Sequence, residues 1–148
     1  MTIPRELSEL ECVQLIQSGG VGRLAFDTHE GLEIYPLNFA VEGRAILFRT
    51  TAYSKLGTRV PGTDVAFEVD HLDPSARRGW SVVLKGRAEV IEEPAEVDML
   101  RELGKETRPW AQGARRLYVR VPWKEITGRE VGEEWVNPTP VPAHQWLG

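Results

Sequence analysis

The sequence predicts a mainly β domain, a small antiparallel barrel of about six strands with two helices at its margins. Three observations predict it. Short runs rich in branched and aromatic residues recur roughly every 8–15 residues, with turn signals between them. Two segments carry the apolar spacing of a helix. Strands and helices do not alternate, and neither G-x-G-x-x-G nor G-x-x-x-x-G-K-[ST] occurs, which excludes a dinucleotide-binding parallel sheet and a P-loop.

The chain opens with a helix. Ser8-Glu9-Leu10-Glu11 has the spacing of a capping box, in which the serine and the glutamate three residues on satisfy each other's free backbone amides. Leu10, Val13 and Ile16 make the predicted apolar stripe, and Gly19-Gly20 supplies the stop. The period then changes. VGRLAFD, LEIYPLNFAV and AILFRT read as three antiparallel strands joined by turns at THEG and EGR. Pro36 has no amide proton for a ladder, so the second strand must bulge there or lie at an edge.

Tyr53 to Val60 reads as a short helix-like connection ending at Pro61-Gly62. A fourth strand, DVAFEVD, leads through the polar loop HLDPSARR into a long fifth, GWSVVLKGRAEVIEE, whose Gly86 suggests a bend or bulge. Pro94 suits a first helical turn, and Ala95, Met99, Leu100 and Leu103 give the second helix an apolar face before Gly104. After the loop ETRPWAQGA, RLYVRV reads as a sixth strand broken by Pro122-Trp123, with EITGREV as a possible last one. From Glu133 the chain loses periodicity and carries Pro138, Pro140 and Pro142. Residues 1–132 are therefore expected to form one domain and 133–148 a Pro-rich arm.

Composition narrows the function classes. A chain of 148 residues, 41% hydrophobic and 27% charged, can bury a sizeable core as one soluble domain. The single Cys12 excludes an internal disulfide and a Cys-rich metal site, and it fits a reducing compartment. No apolar run approaches the roughly 20 residues of a membrane span, and MTIPRELSELE is unlike a signal peptide, so a cytoplasmic location is expected. The net charge of −4, with no long basic stretch, argues against nucleic acid as a partner. His29, His71 and His144 lack metal-ligand spacing, and no serine sits in a G-x-S-x-G elbow. Cys12, on the first helix beside apolar positions, reads as small core filler.

The informative stretch is FRTTAYSK, Phe48 to Lys55. A strand end carrying Arg49, Thr50 and Thr51 is followed within a turn by Ser54 and Lys55, so two cations and three hydroxyls are predicted to converge. Such a set suits a phosphate monoester, helped by free amides at the start of the Tyr53 helix. It also suits a solvated strand-to-helix turn with a capping hydroxyl. Trp80 and Trp110 fall beside loops, where an indole can cover a planar ligand or a subunit interface, or fold onto the barrel as a lid.

Together these residues resemble the pyridoxamine 5′-phosphate oxidase-like, FMN-binding split-barrel family, in particular its small actinobacterial-type members. The resemblance covers roughly Leu7 to Val131 and is carried by SGGVGRLAF, YPLNF, FRTTAYSK, VAFEVD, GWSVVLKGRAEV and RPWAQG in that order and spacing. It implies a six-stranded Greek-key split barrel that forms a homodimer with two flavin sites at the subunit interface. It places the cofactor phosphate on Arg49, Thr50, Ser54 and Lys55, and the isoalloxazine along Pro36, Leu37 and Asn38. The partner subunit would add the region of Trp80, Ser81 and Trp110. The tail PTPVPAHQWLG differs from the C-terminal segment with which true pyridoxamine phosphate oxidases bind substrate, so vitamin B6 oxidation is not implied.

The resemblance therefore implies an FMN-dependent oxidoreductase in which the flavin transfers hydride or electrons between small molecules and no acid–base side chain is obligatory. Relatives of this size also include deazaflavin-dependent reductases. A deazaflavin coenzyme would need a basic groove for its anionic tail, for which Arg44, Arg59, Arg77 and Arg78 are the candidates. A non-catalytic flavin- or haem-binding module is the third reading, since a fold does not fix a function.

Overall fold

Leu24 and Phe26, Val65, Phe67 and Val69, and Trp80, Val82 and Leu84 are buried at alternate positions along their runs, so each run has one face for a core. In the computed structural model, which describes residues 4–102 and 117–132, these runs close into a barrel. The elements in order are β1 (Arg5–Glu6), α1 (Glu9–Ile16), β2 (Gly20–Thr28), β3 (Gly31–Glu42), β4 (Ala45–Thr50), α2 (Lys55–Arg59), β5 (Asp64–Asp73), β6 (Arg78–Arg87), β7 (Glu89–Val90), α3 (Pro94–Glu102) and β8 (Leu117–Val131).

The antiparallel path β8-β4-β3-β2-β5-β6 is closed by pairing of β6 with β8, which gives the six barrel strands the sequence predicts. β2, β3 and β4 are joined by hairpins, and the next strand, β5, returns through α2 to lie beside β2, which is a Greek key. Trp80, Phe26, Phe48 and Phe67 fill the interior, and a smaller cluster of Leu47, Ile91, Leu100 and Tyr118 lies outside β4 beneath α3.

α1 starts as predicted. Ser8 Oγ accepts from the Glu11 amide at 3.2 Å and Glu11 Oε1 accepts from the Ser8 amide at 3.1 Å. The buried face differs from the predicted stripe. Cys12, Leu15 and Ile16 face the barrel, whereas Leu10 is 67% exposed, because the helix is rolled so that Cys12 packs against β8 at Gly128. Cys12 is core filler, and burial pushes its thiol up to about 11.

Three boundaries and one packing face differ from the sequence reading. Residues 117–131 form one strand that pairs with β4 through Pro122 and with β6 from Trp123, so the proline marks a change of partner rather than a break. The predicted polar loop after Asp70 is a tight hairpin, with His71, Leu72 and Asp73 still paired in β5. The long fifth strand divides into β6 and β7 near the predicted bend, where the register shifts between Lys85 and Gly86. α3 packs through Val97 and Leu100 while Met99 is 52% exposed. Leu103, Gly104 and the arm 133–148 lie outside the described residues.

Candidate functional site

The barrel is split between β3 and β4. These strands pair only over Ala40–Leu47, Val41–Ile46 and Glu42–Ala45, while residues 31–39 of β3 pair with β2 alone. Pro36, opposite Arg23 of β2, lies in this one-sided stretch and is exposed, so it takes the edge position that the missing amide proton allows. Leu37 leans on the core, and Asn38 is half-buried.

The chain leaving β4 turns into α2 beside this free edge. Lys55, the first residue of α2, reaches Glu33 of β3 with Nζ 3.0 Å from Oε1, and this hydrogen bond raises the lysine pKa above its ordinary value. Pro36, Leu37 and Asn38 therefore share an edge with the carboxylate that holds Lys55.

Thr50 and Ser54 meet as predicted, with their hydroxyl oxygens 2.7 Å apart. Ser54 is the N-cap of α2: its Oγ accepts from the Gly57 amide at 3.0 Å and donates to the Thr51 carbonyl at 2.8 Å. With Thr50 donating to it, the single hydroxyl of Ser54 has used its proton and both lone pairs. Its first role is to build the turn that presents Lys55. Packing there is close, since a Cβ on Gly57 would lie 2.1 Å from the Thr51 carbonyl oxygen. The helix begins at Lys55, and Tyr53 is 96% exposed outside it.

Arg49 does not share these neighbours. β4 is buried on both faces, with Ile46 and Phe48 in the main core and Leu47 in the outer cluster, so Arg49 falls on the outer side. Its guanidinium carbon lies 5.2 Å from the centroid of the Tyr118 ring. Arg101 lies 5.7 Å from the same ring and donates to the Tyr118 hydroxyl at 3.1 Å. The two cations predicted to converge thus engage different surroundings.

Trp80 is a correction. It is 1% exposed, inside the core and tilted against His71, because it is in phase with the inward-facing Val82 and Leu84. Ser81 is out of phase with them and lines a groove of about 600 Å³ between β1, β6 and β8, with Leu7, Val83, Thr127 and Arg129. Trp110 lies outside the described residues. The predicted basic groove does not assemble: Arg44 pairs with Glu9 of α1, and Arg59 contacts His29, while Arg77 and Arg78 sit together at the β5–β6 turn.

The sequence reading passed over two features. Glu33 and Lys55 are 22 residues apart, and no local pattern links them. On the outer sheet face, Arg23 Nη1 lies 3.2 Å from Glu68 Oε1 and 3.4 Å from Asp70 Oδ1. Burial and the hydrogen bond to Asp70 push the Glu68 carboxyl up to about 7. No group of three or more His, Cys, Asp or Glu side chains suited to a metal ion occurs among the described residues, and no helix there is long and apolar enough to cross a membrane.

The sequence profile of the pyridoxamine 5′-phosphate oxidase family matches residues 8–130. An uncharacterized protein of Mycobacterium tuberculosis is 32% identical over 128 residues, which cover 83% of this chain and 82% of that one. Among solved structures, an FAD binding protein from Mycobacterium smegmatis superposes with a TM-score of 0.73 at 33% identity, covering 85% of this chain and 98% of its own. An FAD-binding protein from Mesorhizobium loti, 23% identical, shares the fold with a TM-score of 0.72 over 90% of this chain and 100% of its own.

Proposed function

The chain belongs to the pyridoxamine 5′-phosphate oxidase family, and from that premise we propose that it binds a flavin nucleotide, FMN, at a homodimer interface and acts as an oxidoreductase on small molecules. The observation that carries this reading is the gap between the free edge of β3 and the start of α2, with Lys55 held beside it. The donor set fits the group. An ammonium has three protons, of which Glu33 takes one, and the exposed backbone of an unpaired strand edge suits the polar rim of a planar ring system.

In this reading Lys55 holds the phosphate, while Thr50 and Ser54 keep the turn in shape. Pro36, Leu37 and Asn38 line the ring, and Ser81 of a second copy faces it. A bound flavin supplies hydride and electron transfer, which leaves the protein to bind, orient and exclude water. Arg49 acts from the outer cluster by fixing the end of β4 against Tyr118.

The homodimer has its own support. Leu32 and Ile34 are 82% and 68% exposed, and with Pro36 they occupy alternate positions on one face of β3. Ala25 and Ala66, paired beside Ile34, leave an apolar trough of about 500 Å³ in the same face. Exposed apolar ridges beside an apolar trough suit a self-complementary contact.

A visible absorption scan of fresh protein, followed by mass analysis of what heat releases, tests the cofactor. A flavin spectrum with released FMN is expected, and release of FAD would keep the site but change the nucleotide. Colourless protein that takes up no added FMN would overturn the reading, as would tight uptake of a deazaflavin coenzyme with none of FMN. Anaerobic mixing with nicotinamide donors tests the oxidoreductase half, for which reduction of the bound flavin is expected.

A further inference from the structure

At the β5–β6 turn a second cavity of about 400 Å³ opens on the outer face of the barrel and shares Ser81 and Arg129 with the groove beside β1. Its floor is apolar. The Leu72 side chain lies over Gly79, where a Cβ would come within 2.8 Å of Leu72 Cδ2, and Val131 of β8 borders it. Its rim is cationic: Arg77, Arg78 and Arg129 line it, against the single carboxylate of Asp73.

That imbalance stands out on a chain whose net charge is −4. Several other surface arginines among the described residues are matched with carboxylates, Arg5 with Glu11 and Glu130, Arg23 with Glu68 and Asp70, and Arg87 with Asp64. Arg77 and Arg129 are exposed and make no ion pair with another described residue. Asp73 is already engaged, since its Oδ1 accepts from the Ala76 amide at 3.1 Å and so shapes the turn. Arg77 adopts a φ of 52°, the left-handed conformation that the tight β5–β6 turn takes at this position. Gly132 lies against Arg78, where a Cβ would meet Arg78 Cβ at 2.4 Å, so the end of β8 packs against that arginine's stem.

We infer that this cavity binds a small organic anion, a carboxylate or phosphate carried on an apolar body about the size of one aromatic ring. Guanidinium groups grip such anions by paired, charge-assisted hydrogen bonds, and the Leu72–Val131 floor accepts the apolar part. The volume falls within the range of small-molecule pockets. Ser81 also faces the flavin of a second copy in the function proposed above, so the cavity adjoins that site, while its arginines and apolar floor come from one chain and need no flavin.

Calorimetric titration of the whole protein, saturated with FMN and at low salt, with phenyl phosphate, benzoate and inorganic phosphate tests this. Saturable binding of phenyl phosphate or benzoate below about 1 mM is expected, one molecule per chain. It should fall at least about tenfold in Arg129→Gln and in Arg77→Gln, and it should weaken as sodium chloride is raised. The tighter of the two organic probes identifies the anion. No saturable binding of either, unchanged affinity in both variants, or inorganic phosphate binding as tightly as phenyl phosphate would overturn the proposal. Circular dichroism monitors folding of the variants, and the calorimetric readout stands whether or not FMN binds.

Discussion

Lys55 and Glu33 meet at 3.0 Å across the gap where β3 has left β4, so a carboxylate already occupies the cation best placed to receive a phosphate. A ligand phosphate must draw Lys55 from Glu33 or share it. Glu33→Gln should therefore tighten FMN binding by roughly 2- to 5-fold, the weight of one exposed ion pair. Lys55→Met should weaken it by at least about tenfold. Fluorescence-quenching titration of FMN measures both. Equal losses in the two variants would mean that Glu33 itself contacts the cofactor.

Ser54 holds three partners through one hydroxyl, and one of them, Thr50, is 1% exposed. Ser54→Ala should cost about 1 kcal/mol for the lost cap. A further ~1 kcal/mol should come from the orphaned Thr50 hydroxyl. Equilibrium unfolding in urea measures the sum. Ser54→Asp retains a cap acceptor for the Gly57 amide and should recover part of the loss, an outcome that simple disruption of the turn would not give.

What could be read in the sequence was local or periodic. The capping box at Ser8 and Glu11 sits within one turn, and the edge position of Pro36 follows from its missing amide proton. The buried phase of Trp80 is also legible, because Val82 and Leu84 repeat it and the alternation outweighs the neighbouring loop. The direction of Arg49 was not legible. AILFRT is buried on both faces, so its apolar run carries no alternation to say which side any residue takes. Leu10 misled for a similar reason, since the roll of α1 is set by the contact of Cys12 with Gly128, far along the chain. Pro122 looks like a strand end because the change of partner from β4 to β6 exists only after closure.

Gly86 lies where the register of β6 and β8 shifts, and a Cβ there would stand 2.0 Å from the Pro122 carbonyl oxygen. The obstacle is backbone, so it cannot rotate away. Gly86→Ala should destabilise the barrel by at least about 2 kcal/mol. Gly43→Ala is the control: its φ is +58° but nothing lies within 4 Å of the added carbon, so only about 1 kcal/mol of backbone strain is expected. Thermal unfolding compares the pair, and similar losses would mean that β6 can slide at the bulge.

The Glu68 carboxyl, pushed up to about 7 from an ordinary 4.5, keeps a proton in the folded chain that the unfolded chain has released. Between these values the folded state binds more protons, so this site's contribution is full below about pH 4.5 and is lost as pH rises through about 7. Arg23 on β2 offsets part of the repulsion, Asp70 two residues along β5 creates it, and the β6 neighbours Val83 and Ser81 are uncharged. Glu68→Gln should raise stability at pH 8 by about 1 kcal/mol once solvent screening is allowed for, roughly 3 °C in Tm. The gain should vanish at pH 4.5. Glu11 acts in a separate window, because its pairing with Arg5 lowers its carboxyl to about 2 and that contribution is lost only as pH falls through that value. A gain from Glu68→Gln that is the same at both pH values would refute the assignment.

Ile34 stands 68% exposed between Leu32 and Pro36 on the outer face of β3, opposite the small Ala25. An isolated exposed apolar side chain needs no explanation, but three in a row, the first of them Leu32 at the edge of a trough of about 500 Å³, have no solvent-side benefit to a lone chain. If a second copy covers this face, Ile34→Asp places an unpaired charge in the contact and should convert dimer to monomer at micromolar concentration, as read by sedimentation velocity. The same substitution faces away from the barrel interior, so the Tm of the monomer should change by no more than about 2 °C. Flavin occupancy should fall with the dimer if Ser81 of the second copy completes the site. A monomeric Ile34→Asp protein that keeps its full complement of flavin would place the cofactor within one chain, and a wild-type monomer would remove the dimer altogether.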